Sequence, residues 1–145
     1  ASKRMEVLDI KGVTVYNDTY NANPDSTIAG LKTLASAIVS GKKIAVLADM
    51  KELGSTSIDE HRRVGKEASK LPIEYLLTFG EHARSIHDAS SIKDKIHYEQ
   101  KNMLAEYLAE LVSPGDAVLV KGSRGMRMED VVVFLQERSK TSESS

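Results

Sequence analysis

Apolar residues along the chain follow two alternating patterns, and that alternation predicts the fold. A continuous apolar run occurs at Ile44-Ala45-Val46-Leu47, and core strands read at Tyr75-Leu76-Leu77-Thr78-Phe79 and at Ala117-Val118-Leu119-Val120. Short runs bounded by polar residues suit strands covered on both faces, as in parallel sheets. Residues 5–10 and 13–18 read as two more strands joined at Lys11-Gly12, a hairpin in which glycine supplies the turn geometry. Between the strands the spacing becomes helical. Ile28, Leu31, Leu34, Ala35 and Ile38 mark a first helix that Gly41 stops as its C′ residue. Residues 57–70 predict a second, with Ser57 and Glu60 at capping-box spacing, Ile58, Val64 and Ala68 inward, and Pro72 ending it. Residues 81–89 form a short helix, and 90–98 an irregular link with room for an edge strand. Residues 101–112 form a helix with Met103, Leu104, Tyr107, Leu108 and Leu111 inward, and 126–138 form the last. Residues 139–145 make a polar, flexible tail.

A hairpin followed by alternating helices and strands argues for an α/β fold. The expected architecture is an open, mostly parallel sheet with right-handed crossovers, helices on both faces and the N-terminal hairpin as an antiparallel edge. A length of 145 residues fits one domain with a substantial core, and no internal repeat or second boundary is visible. With 41% hydrophobic and 28% charged residues the composition is that of an ordinary globular domain. A formal net charge of −1 argues against non-specific binding to nucleic acid, which needs an excess of Lys and Arg to track phosphates. The absence of cysteine removes disulfides, thiolate metal sites and thiol nucleophiles, in keeping with a cytoplasmic protein. No run approaches the ~20 apolar residues of a membrane span, and the N-terminus lacks the apolar region of a signal peptide.

In a parallel sheet the loops after the strands share one edge, where ligand crevices form. Asn17-Asp18-Thr19-Tyr20-Asn21-Ala22-Asn23-Pro24-Asp25-Ser26 is the most unusual of these loops. Asn23 suits an N-cap and Pro24 the first helical position, so part of the stretch is explained as a strand-to-helix turn. Asp18, Tyr20 and Asn21 exceed what a cap needs, and turn and site both remain open at this point. Lys121-Gly122-Ser123-Arg124-Gly125 offers glycines for close backbone approach, a hydroxyl, and two cations for a carboxylate or phosphate. Read blandly, it is a flexible basic turn. No G-x-x-x-x-G-K-[ST] sequence occurs, so there is no P-loop. Asp49 and Glu52 suit Mg²⁺ or an amine, or are simply solvated. His61, beside Arg62 and Arg63 in a helix, reads as a satisfied or surface histidine rather than a catalytic one. With no His pair at i, i+4 and no cysteine, no metal site is expected, and no nucleophile elbow is present. The domain carries no complete catalytic set.

Arg4-Met5-Glu6-Val7, the 17–26 motif, Asp49-Met50-Lys51-Glu52-Leu53-Gly54 with His61 and Gly65, and Val120-Lys121-Gly122-Ser123-Arg124 with Met128-Glu129 occur in that order. The set resembles the C-terminal domain of the bacterial Mur ligases. Tyr-Asn-Ala-Asn-Pro and Lys-Gly-Ser-Arg point to the branch that joins D-alanyl-D-alanine to UDP-N-acetylmuramoyl-tripeptide. The resemblance implies a Rossmann-like domain, residues 5–138, preceded by a linker at 1–4 from a central ATPase domain of the same polypeptide. It also implies an ATP- and Mg²⁺-dependent ligase of peptidoglycan synthesis, with both cofactors bound mainly by that central domain. In the implied reaction the tripeptide carboxylate is phosphorylated, the dipeptide amine attacks the acyl phosphate, and phosphate leaves as the amide forms. Arg4 then matches an arginine that reaches the nucleotide phosphates and Asp18 an acid on the ATP ribose. Tyr20, Asn21 and Asn23 would line the seam between ATP and dipeptide. Ser123 and Arg124 would hold the dipeptide carboxylate, with Lys121 in support. Asn17, Ala48 and Lys3 depart from residues common in that branch. Two other readings stay open: a sister ligase adding a different amino acid, and a stand-alone α/β binding module.

Overall fold

The computed structural model describes residues 5–144. Six strands form one sheet: β1 (Glu6–Ile10), β2 (Val13–Asp18), β3 (Lys43–Ala48), β4 (Tyr75–Phe79), β5 (Asp94–Tyr98) and β6 (Ala117–Lys121). Their order is β1-β2-β6-β3-β4-β5, with β1 antiparallel to β2 and every other pair parallel. The expected fold class is therefore the observed one. Lys11 (φ 50) and Gly12 (φ 83) both occupy the left-handed region. That is what a two-residue hairpin turn matching the strand twist requires. Asp9 Oδ1 accepts the Gly12 N–H at 2.8 Å.

Five helices cover the sheet: α1 (Pro24–Ser36), α2 (Ser57–Ala68), α3 (Arg84–Ala89), α4 (Lys101–Leu111) and α5 (Glu129–Ser144). Side chains alternate across each strand, so β3 sends Ala45 and Leu47 to α1, α2 and α3, and Ile44, Val46 and Ala48 to α4 and α5. β6 divides in the same way, which is why both strands are apolar at every central position. Gly65 lets α2 lie directly on α3, since a Cβ there would sit 2.2 Å from the Ile86 carbonyl oxygen.

Several helix details differ from the pattern. α1 ends at Ser36 with an extended Ala37 as C-cap, so Ile38 is fully exposed and Gly41 is not a C′ residue. Gly41 instead lies against Asp116, whose carboxylate occupies the space of a Cβ. The capping box expected at Ser57 and Glu60 does not form. Thr56, the last residue of a 3₁₀ turn, is the N-cap, and the Ser57 hydroxyl is used elsewhere. Ile58 and Met103 are exposed rather than inward, while Val64, Ala68, Leu104 and Leu108 are buried. α3 begins at Arg84. α5 starts only after a 3₁₀ turn and a left-handed Arg127 (φ 52), and with no Gly or Pro beyond Arg138 it continues to Ser144. Among the described residues no helix is long and apolar enough to cross a membrane.

Candidate functional site

β6 lies between β2 and β3, yet the chain leaves β2 and β3 toward one face and β6 toward the other. A crevice opens where neighbouring strands send their connections apart, so the carboxyl end of β6 is the switch point of this sheet. The two loops singled out by composition meet there. Asp18, last in β2, is in register with Lys121, last in β6.

Lys121 is buried, and its stem runs past Gly30 of α1, where an added Cβ would meet Lys121 Cδ at 3.5 Å. Its ammonium donates to Asp18 Oδ2 at 2.8 Å and to the Asn21 carbonyl at 3.0 Å. Lys121 is thus engaged inside the protein, where it holds the 18–21 loop. Asp18 Oδ1 has no partner among the described residues and stays available as an acceptor.

Ser123 is buried as well. Its N–H donates to the Asp49 carbonyl at 2.9 Å, and its hydroxyl oxygen accepts the Lys51 N–H at 2.7 Å. Gly122 passes so close to β3 that a Cβ would lie 2.8 Å from Ala48 Cβ. Ser123 therefore joins the loops after β6 and β3, and its side chain faces the protein. Arg124, next in sequence, is exposed. Its guanidinium stands 5.0 Å over the Tyr20 ring and donates to the Tyr20 hydroxyl at 3.3 Å, with no carboxylate partner among the described residues. Tyr20 itself is 40% exposed.

The remaining expected residues divide between cap and site. Asn23 caps α1: its Oδ1 accepts the Ser26 N–H at 2.8 Å, while Ser26 Oγ accepts the Asn23 N–H at 3.0 Å. Asn21 is exposed, and its Oδ1 accepts the Ala22 N–H. Arg4 lies outside the described residues. Asp49, open to a metal reading in the sequence, is buried and its Oδ1 accepts the Ala83 N–H at 2.7 Å. Gly80 (φ +114) makes room for that carboxylate, 2.3 Å from where a Cβ would stand. Among the described residues no cluster of three or more His, Asp or Glu side chains could hold a metal ion. A groove of about 540 Å³ lined by Ile10, Val13, Val15, Val112, Pro114 and Leu135 lies at the opposite edge, where β2 and β6 begin. Lys11, Ser113, Arg138 and Ser139 add polar groups to its rim, and none of the residues gathered at the carboxyl end of β6 lines it.

His61 is fully buried, and its Nε2 accepts the Met50 N–H at 3.0 Å. Burial pushes its imidazole below the ordinary histidine range, opposed only in part by a hydrogen bond to the Ser57 backbone. The sequence left His61 as a satisfied or surface residue, but a signal for burial is there: His61, Val64, Gly65 and Ala68 stand at i, i+3, i+4 and i+7, one helix face. Glu129, at the start of α5, buries Oε1 with no hydrogen-bond partner among the described residues.

Residues 3–124 match the family described as "Mur ligase, glutamate ligase domain". The chain is 35% identical over 139 residues to the UDP-N-acetylmuramoyl-tripeptide–D-alanyl-D-alanine ligase of Bacillus subtilis, covering 92% of this chain and 30% of that protein. To the enzyme of the same name from Escherichia coli it is 37% identical over 123 residues, covering 83% of this chain and 26% of that one. The crystal structure of the MurF ligase from Thermotoga maritima in complex with ADP is similar over 96% of this chain and 31% of that one. Its TM-score is 0.83 and its identity 32%. The chain spans less than a third of the length of these relatives.

Proposed function

The chain belongs to the Mur ligase family, and we propose that it is the C-terminal, substrate-binding domain of an ATP-dependent ligase that adds D-alanyl-D-alanine to UDP-N-acetylmuramoyl-tripeptide. In this reading residues 1–4 are the linker from a central ATPase domain, which binds ATP and Mg²⁺ and brings the nucleotide-linked tripeptide. The complete enzyme works in the cytoplasm on peptidoglycan precursors. ATP supplies the phosphoryl group that activates the tripeptide carboxylate. The dipeptide amine then forms the new C–N bond, loses a proton, and phosphate departs.

Arg124 is the observation that carries the reading. It is an exposed guanidinium with no carboxylate partner among the described residues, steadied on Tyr20 at the switch point of the sheet. A fork of N–H donors matches a carboxylate in two parallel hydrogen bonds, which suits the free end of a dipeptide. Asp18, with Oδ1 open, suits a ribose hydroxyl. Tyr20 and Asn21 line the space between, and Arg4 reaches the nucleotide phosphates from the linker. Lys121, Ser123 and Asn23 support these groups from behind: Lys121 holds Asp18 and Asn21, Ser123 anchors the loop of Arg124, and Asn23 starts α1. Fixing the amine beside an activated carboxyl contributes through orientation, and closure of the domain against its neighbour would exclude water.

Phosphate release by the full-length polypeptide, given ATP, Mg²⁺ and the UDP-linked tripeptide, tests the proposal. Release should depend on D-alanyl-D-alanine. Dependence on another amino acid instead would make the protein a sister ligase. Silence with every amine would leave a binding module of this fold.

A further inference from the structure

Three consecutive residues after β3 each have a backbone group committed to another element. The Asp49 carbonyl accepts from Ser123 N–H, the Met50 N–H donates to His61 Nε2, and the Lys51 N–H donates to Ser123 Oγ. The Asp49 carboxylate adds the loop after β4 through Ala83 N–H. Residues 49–51 thus join the loops after β3, β4 and β6 to α2, and the residue beyond Ser123 is Arg124.

The Met50 bond decides which tautomer His61 adopts. A backbone N–H can only donate, so Nε2 carries no proton and the one ring proton sits on Nδ1. From there it donates to the Ser57 carbonyl at 2.7 Å. Ser57 Oγ, 3.2 Å from Nδ1, is within 2.8 Å of His82 Nδ1. Since Nδ1 of His61 is a donor, it cannot deprotonate Ser57, and the Ser57–His61 pair is not a nucleophile with its base. Asp49 from the loop after β3, His82 from the loop after β4 and Glu60 of α2 are the charged or titratable groups acting on the ring.

We propose that His61 is a positioning residue for the substrate loop: as a neutral, Nδ1-protonated imidazole it holds Met50, so that Lys51 and Asp49 hold Ser123 and with it Arg124. A second proton, placed on Nε2, sets two donors against each other and releases the segment. This inference rests on the reading of Arg124 as the holder of the dipeptide carboxylate.

Long-range ¹H–¹⁵N spectra of this chain at about pH 7 should show His61 protonated on Nδ1 alone, with the Met50 amide among the slowly exchanging ones. An Nε2-protonated ring or a rapidly exchanging Met50 amide overturns the proposal. His61→Leu keeps an apolar side chain but supplies no acceptor, whereas His61→Gln places an amide oxygen near Nε2. In folded H61L the Met50, Lys51, Ser123 and Arg124 amide resonances should all move. In the full-length ligase, KM for the dipeptide should rise about tenfold, as expected for an orphaned buried donor, with KM for ATP changed less than about twofold. H61Q should recover most of both effects and flatten the acid side of the pH profile. Unmoved Ser123 and Arg124 resonances in H61L overturn the inference even if KM changes. If H61L does not fold, the same resonances in H61Q and the wild-type exchange rates decide the matter. A dipeptide KM indifferent to Arg124→Ala would instead remove the ligand role of Arg124, and the resonances alone would then judge His61.

Discussion

Lys121 Nζ lies 2.8 Å from Asp18 Oδ2, joining residues 103 positions apart at the ends of two neighbouring parallel strands. The lysine is buried and the carboxylate mostly so. Removing one partner of such a pair leaves the other uncompensated, and Asn21 also loses its donor. Lys121→Met, which keeps the stem and removes the charge, should cost about 2–3 kcal/mol, less than for a fully buried pair because Asp18 reaches solvent. Asp18→Asn retains an acceptor oxygen and should cost about 1 kcal/mol. Urea unfolding of the two variants checks the order, and equal costs would show that the pair does not hold the loop.

The stability of the domain should begin to fall as the pH drops through the ordinary histidine range. Burial lowers the His61 imidazole below its ordinary value of 6.5, and burial lowers His97 as well, with Arg84 assisting. Below 6.5 the unfolded chain takes up protons that the folded chain refuses, so stability rises with pH across this window. The loss begins near 6.5 and levels off below the lowered folded values. Asp116 adds a second loss at lower pH. Burial pushes its carboxyl up, but the Lys42 ammonium and the Lys42 and Ser113 N–H groups outweigh that and keep it below the usual range. Thermal midpoints measured against pH should show both steps, and His61→Gln should shrink the first.

Gly80→Ala should destabilise the domain by at least about 2 kcal/mol through backbone strain and overpacking together. At φ +114 an alanine is strained, and its Cβ would displace Asp49 Oδ1 from the Ala83 N–H. Gly125→Ala is the control: nothing lies within 4 Å of its Cβ position, and its φ lies outside the left-handed region. That variant should unfold within about 0.5 kcal/mol of wild type. A similar cost at both positions would point to general glycine sensitivity rather than to the Asp49 contact.

Asn23→Ala should cost about 1 kcal/mol, the usual value of an N-cap, and Asn23→Asp should cost little. Both are read from the same urea transitions. A domain indifferent to N23A would mean that the Ser26 half of the capping box suffices alone.

The hairpin and the three central strands were legible because their signal is local: short apolar-rich runs and a Lys-Gly turn need no knowledge of the rest of the chain, whereas β5, Asp-Lys-Ile-His-Tyr, has no such run and showed only as a link with room for an edge strand. Helix ends and inward faces were less so. Ile38, Ile58 and Met103 sit at apolar spacing yet face solvent, because single exposed apolar side chains cost little and leave no mark in the pattern. The two loops of the site were visible from composition, but not the division of labour within them. Lys121 and Arg124 look alike as cations. Only the register of β2 with β6 assigns one to Asp18 and leaves the other free. Ser123 likewise shows in the sequence only as a hydroxyl, and its link to the Lys51 N–H needs the fold.

That division makes Arg124 the sharpest test of the site. Its guanidinium touches only Tyr20 among the groups described, so truncation should leave the fold intact and act on the ligand. On the proposed function, Arg124→Ala in the full-length polypeptide should raise KM for D-alanyl-D-alanine about thirtyfold, as for loss of a charge-assisted hydrogen bond, and KM for ATP by less than about threefold. Arg124→Lys should recover only part, since an ammonium cannot present two parallel donors to a carboxylate or stack flat on Tyr20. Tyr20→Leu removes the platform but keeps the guanidinium, so it should give an intermediate KM effect. Equal increases in both KM values for R124A would place Arg124 on the nucleotide or on domain closure. Full recovery by R124K would show that charge alone is read.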